Sequence, residues 1–194
     1  MNNLIKSLQE NIISFDKPFK HWEFNKPLTQ NIIDEAIGVK IPLGEHAYDG
    51  TRAADHTGGG IDGKLRLFID KSNFNIYPHL TSLIKTLQSK ECQKIISKNI
   101  EKDLRNSFVR LEVIADKQGF WLKPHKDIKE KLMTMMIWIN YYNESENLGT
   151  DFYDDNLNII KSAKYINNSG YLFSSGNDTW HGLEKKEIIK ERRC

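Results

Sequence analysis

Cysteine is nearly absent from this chain, with two residues in 194, Cys92 and Cys194. At most one disulfide can form, so a disulfide-stapled scaffold is excluded and a reducing cytoplasm is the expected compartment. Long apolar runs are missing too. None approaches the ~20 residues that a helix needs to cross a bilayer, and the opening MNNLIKSLQENIIS lacks the apolar block of a signal peptide. No membrane partner is expected. Charge of one sign is equally scarce: 28 Lys and Arg against 26 Asp and Glu leave +2. A nucleic-acid binder would carry a basic stripe, so nucleic acid is not an expected partner. The five prolines and the absence of repeats or low-complexity stretches mark no linker. A single domain over 1–194 follows, long enough to bury a sizeable core.

Residues 2–13 place Leu4, Ile5, Leu8 and Ile12 at helical spacing. PFKHWEFNKPL (18–28) reads as a short strand between prolines, and TQNIIDEAI (29–37) as a helix capped by Thr29. Residues 38–64 are dense in glycine and read as a loop long enough to serve a site. Helical spacing returns from Pro78 to Ile100, with a break expected at Ser89. After Phe108 come short β-rich pieces: 108–115, 120–124, 131–142, 151–155, 156–162, 170–175 and 188–193, separated by turn signals. Helices first and strands afterwards imply an α+β fold, a helical and loop part (1–107) followed by a β core (108–194), with the helices packed on one sheet.

The chemistry gathers in LKPHKDIKEKLMT (122–134). Pro124 pushes Lys123 to extended geometry, and residues two apart in a strand share a face. His125 and Asp127 then point together. A second histidine, His181, lies several strands further on, in NDTWHGLEKKEIIKERR. Two imidazoles and one carboxylate on one side of a metal leave neighbouring positions open, the pattern of non-haem Fe(II) oxygenases. A dicarboxylate co-substrate would also need a cation. Arg192 and Arg193 follow His181 by 11 and 12 residues, and only one of two adjacent strand residues can face inward. Plainer readings stand beside these: a polar strand end for His-x-Asp, a frayed basic tail for ERRC.

PHKDIKEKLMTMMIWIN, then GTDFY, then WHG, then ERR resemble, in content and order, the 2-oxoglutarate- and Fe(II)-dependent dioxygenase superfamily, and within it the prolyl 4-hydroxylase-like group. The similarity covers residues 108–194, with a weaker echo in PFKHWEF and YDGTRAAD. The resemblance implies a double-stranded β-helix (jelly-roll) core and His125, Asp127 and His181 as iron ligands. It implies Arg192 as the 2-oxoglutarate arginine, with Cys194 where many members have serine. Trp138 stands where many hydroxylases use a tyrosine on the co-substrate, and Thr134 shares its strand face. The activity implied is hydroxylation of a small-molecule or peptidyl substrate, since halogenating members lack the carboxylate that Asp127 supplies. Fe(II) and 2-oxoglutarate are the implied cofactors, with ascorbate as reductant. Arg52, Arg110 and the loop 44–63 are candidate substrate contacts. The alternative is a non-catalytic, cupin-like jelly-roll module that binds a metal or ligand. His21, His46, His56 and His79 have no partner at ligand spacing, and Met133, Met135 and Met136 read as core.

Overall fold

The computed structural model describes residues 2–41 and 64–194. Capping sets the helices. Helix α1 (Asn3–Glu10) starts at Asn2, whose side chain accepts from the Leu4 N–H at 3.0 Å, and it buries Leu4, Ile5 and Leu8. Helix α2 (Gln30–Gly38) follows Thr29 and buries Ile33 and Ala36. Helix α3 (Pro78–Leu87) opens on a proline, whose missing N–H is not needed in a first turn. The expected break at Ser89 is a cap: its hydroxyl accepts from the Cys92 N–H at 3.2 Å and starts α4 (Lys90–Ile100).

The strands are β1 (Ile12–Phe15), β2 (His21–Asn25), β3 (Lys64–Ile69), β4 (Leu111–Asp116), β5 (Leu122–His125), β6 (Met133–Trp138), β7 (Asp151–Tyr153), β8 (Ile159–Ser162), β9 (Ser169–Ser174), β10 (His181–Leu183) and β11 (Arg192–Arg193). All pairings are antiparallel, in the orders β1-β2-β9-β6, β5-β10-β7-β8 and β11-β4-β3. A bridge between Ile139 and Arg193 joins the first sheet to the third through β11.

The order of helices before strands is corrected by two strands in the first half, β1 and β3, beside β2, which falls within the strand expected at 18–28. Ile12, counted above with the first helix, begins β1, which pairs with β2. β2 in turn extends the main sheet by pairing with β9, His21 opposite Phe173. β3 lies against β4 along its whole length.

Alternation along β6 divides the molecule into two cores. Met133, Met135 and Ile137 join the layer of helix residues Leu4, Leu8, Leu80, Ile84 and Ile96. Met136 and Trp138 turn the other way, into a second core with Phe120, Phe152, Tyr165, Tyr171 and Phe173. The helices therefore cover one face of the main sheet, and the sheet of β5, β7, β8 and β10 covers the other. The second core carries the site.

Candidate metal centre

His125 ends β5 and His181 begins β10, and the two are paired across the ladder. Their ring centroids are 4.3 Å apart. Asp127 follows β5 by two residues, and ligand atoms of His125, Asp127 and His181 all lie within 4.8 Å of one another. Atoms bound to one ion at about 2.0–2.2 Å lie at most about 4.4 Å apart, so side-chain adjustment alone closes this set on an ion.

Each histidine is fixed by the same local device. Nδ1 of His125 faces the carbonyl of Lys123 at 2.9 Å, and Nδ1 of His181 faces that of Thr179 at 2.9 Å. A carbonyl only accepts, so each Nδ1 carries a proton, which leaves Nε2 as the nitrogen that a neutral imidazole would turn to a metal. Gly182 holds the two strands close. A Cβ there would lie 2.6 Å from the Leu122 carbonyl oxygen, so any larger residue would push β10 off β5.

The Asp127 side chain is wholly buried. Burial alone would push its carboxyl up, but the Lys131 ammonium at 3.0 Å, the His181 ring and the Thr134 hydroxyl at 2.5 Å together hold it well below the usual range. Ser175 adds a further hydroxyl at 3.3 Å. Thr134, expected at the co-substrate, thus stands as a partner of the carboxylate. Burial and the neighbouring His125 push His181 down to about 3. It stays neutral at ordinary pH, and a neutral imidazole is what a metal needs. Two imidazole nitrogens and one ionised carboxylate fit a divalent ion.

Among the described residues a cavity of about 660 Å³ runs past His125, Thr134 and His181 to Thr150, Tyr171 and Arg192. Arg192 is buried, at 4% exposure. Its Nε donates to the Leu148 carbonyl, its Nη1 to Asp116, and its guanidinium lies 4.5 Å from the Trp138 ring centroid. Trp138 is a buried platform beneath that guanidinium and does not line the cavity. Arg193 turns the opposite way. It donates to the carbonyls of Ala36 at 2.7 Å, Ile37 at 3.1 Å and Val39 at 3.2 Å, closing the end of α2, and to Glu191 at 2.5 Å. ERRC is therefore a buried strand end.

Arg110 sits near the surface, paired with Glu112 at 3.1 Å and set over Phe68. It borders the same cavity. Arg52, His46, His56 and the 44–63 loop lie outside the described residues. His79 is exposed on α3, and Cys92 is buried, its thiol pushed up to about 11. Trp180, beside His181, is half-buried under the Lys126 ammonium, 4.5 Å from its ring centroid.

Sequence reasoning passed over Asp116, Lys131, Thr150, Tyr171 and Ser175. The Tyr171 hydroxyl donates to the Thr150 hydroxyl at 2.9 Å in the cavity wall. Only Lys131 carried a usable signal, since four residues after Asp127 in a turn is within reach of its carboxylate. Scanned against protein-family models the chain matches none, and a search of curated proteins finds no match, so the site is read from its own geometry.

Proposed function

We propose that this protein is a 2-oxoglutarate- and Fe(II)-dependent dioxygenase, a hydroxylase, built on a jelly-roll core. The observation that carries the reading is the convergence of His125, Asp127 and His181, with both Nδ1–H groups already committed to backbone carbonyls. Two imidazoles and one carboxylate leave adjacent positions open on a metal, and that donor set suits non-haem Fe(II). Topology supports the core. Of the strands from β4 onward, β5, β7, β8 and β10 form one sheet, while β4, β6, β9 and β11 belong to the other, as in a jelly roll.

Bound at these ligands, Fe(II) with 2-oxoglutarate and dioxygen would supply the oxidation of a substrate C–H bond, with release of succinate and carbon dioxide. The chain's own residues do the rest. Asp127 would give a bound metal its anionic ligand, and His125 and His181 are held in orientation by their Nδ1 contacts to backbone carbonyls. Arg192 offers a buried cation over Trp138, in the wall of the cavity that His125 and His181 also line. A guanidinium so placed can take the far carboxylate of a dicarboxylate bidentately. Tyr171 lines the cavity, and Phe152 and Phe173 pack against its ring in the second core. The substrate is a small molecule or a peptide.

The test is succinate release on adding Fe(II), 2-oxoglutarate and ascorbate in air. Release by the wild type, lost in His181→Ala and kept in His79→Ala, supports the reading. A wild type that binds Fe(II) yet forms no succinate with any peptide or metabolite pool overturns it.

One observation favours a second reading, the non-catalytic binding module. Arg192 already has Asp116 and the Leu148 carbonyl as partners, so a dicarboxylate must compete with Asp116. Such a module would take up Mn(II) and show no 2-oxoglutarate binding by calorimetry.

A further inference from the structure

Asp127 has partners on both of its oxygens. Oδ2 accepts from Thr134 at 2.5 Å and from Ser175 at 3.3 Å. Oδ1 accepts from the Lys131 ammonium at 3.0 Å. Of these donors only Lys131 carries a charge, so the buried carboxylate is neutralised from within the chain. The hydroxyls and the ammonium differ in what a metal would do to them. A hydroxyl can keep its bond to Oδ2 while Oδ1 binds an ion. An ammonium on Oδ1 would stand beside a dication, and two cations a few ångströms apart at a partly buried site repel strongly.

We infer that Lys131 is an internal counter-cation that competes with the divalent metal for Asp127 and so sets the metal affinity of the site; this rests on the metal-centre reading above. The side chains divide the work. Asp127 is at 0% exposure and cannot move to water, whereas Lys131 is at 27% and can. Lysine suits this role because its charge is a single point on a flexible four-carbon stem. An arginine would grip both carboxylate oxygens and be harder to displace. Lys131 is thus a positioning residue. It holds Asp127 aimed at His125 and His181, and it leaves Oδ1 when a metal arrives.

The competing account is an ordinary rim ion pair, of little consequence for anything bound. The two accounts differ in sign. A competitor, once removed, leaves the carboxylate short of positive charge, so metal binds more tightly. A purely structural pair, once removed, leaves metal affinity unchanged or lowers it as Asp127 loosens.

The experiment titrates Mn(II) into the full chain, following the free-ion electron paramagnetic resonance signal, for wild type, Lys131→Met, Lys131→Gln, Lys131→Arg and His181→Ala. Lys131→Met and Lys131→Gln should bind Mn(II) about tenfold more tightly than wild type, while Lys131→Arg binds equally or more weakly. In EDTA both neutral variants should melt below wild type, and Mn(II) should raise their melting temperature further than it raises the wild type's. Equal or weaker Mn(II) binding by both neutral variants overturns the inference, and a wild type that still outbinds His181→Ala leaves the metal reading standing. If neither wild type nor the neutral variants bind Mn(II), the metal reading fails and the inference falls with it.

Discussion

A buried guanidinium paired with an aspartate cannot be removed without stranding that aspartate. Arg192 and Asp116 are such a pair, with 5% and 0% of their side chains exposed. Arg192→Met should therefore cost about 3–5 kcal/mol of stability, besides abolishing 2-oxoglutarate binding measured with Mn(II) under anaerobic conditions. The double variant Arg192→Met/Asp116→Asn should regain most of that stability in urea unfolding and none of the binding. Recovery of both would mean that Arg192 never held the co-substrate. Arg193 predicts the reverse pattern. Its loss takes a donor from three carbonyls at the end of α2 and leaves Glu191 with Lys117 alone as its cation, so Arg193→Ala should cost about 2–3 kcal/mol with 2-oxoglutarate affinity unchanged. That these neighbours part company was legible in the sequence, because adjacent strand residues face opposite ways. Their partners were not: Asp116 is 76 residues and Ala36 157 residues away along the chain, and no local pattern announces a contact across such distances. Trp138 shows the same limit. Its position on β6 could be read, but only packing reveals that it lies under a guanidinium and not against a ligand.

Elements were legible where a period or a cap repeats. α3 and α4 announce themselves through Leu80, Leu83, Ile84 and Ile96, and Ser89 marks their junction as a cap. β1 was hidden because Ile12 continues the spacing of Leu4, Ile5 and Leu8, so the helical period runs past the helix end at Glu10. β3 alternates well in KLRLFI but adjoins a glycine-dense stretch that draws the eye to a loop. β10 is three residues long and shows no period at all, yet it positions His181. What specifies it is Gly182, which lets β10 approach the Leu122 carbonyl. Gly182→Ala should widen the β5–β10 pairing and draw His181 away from His125. We expect Mn(II) affinity to fall about tenfold, the order expected when the support of a metal ligand is disturbed, while the far-ultraviolet circular dichroism stays native. An unaltered affinity would show that the ligand spacing does not depend on this contact.

At the scale of the whole molecule, the strand that ties the N-terminal part to the main sheet carries a buried histidine of its own. His21 opens β2, lies at 0% exposure, and is boxed by Phe15, Phe19 and Phe152. Its Nδ1 donates to the Phe19 carbonyl at 2.8 Å, and its Nε2 is buried with no partner among the described residues. Burial lowers its pKa below the ordinary value of 6.5, against the raising effect of the Phe19 carbonyl; Lys161 lowers it further, while Glu23 and Asp16 raise it. The sign follows from linkage. Above pH 6.5 the ring is neutral folded or unfolded, and the stability is fully present. As pH falls below 6.5 the unfolded chain takes up a proton that the folded chain refuses, so stability declines until the depressed folded value is reached, by up to about 1.4 kcal/mol per pH unit. His21→Phe keeps a ring in the aromatic box and removes the titration. Urea unfolding of both proteins at fixed EDTA from pH 8 to pH 5 should give wild-type stability falling relative to the variant below pH 6.5, and a constant difference above it. Parallel curves across the whole range would show that His21 accepts its proton in the folded state, and that the seam between β2 and β9 is not where acid first acts on this fold.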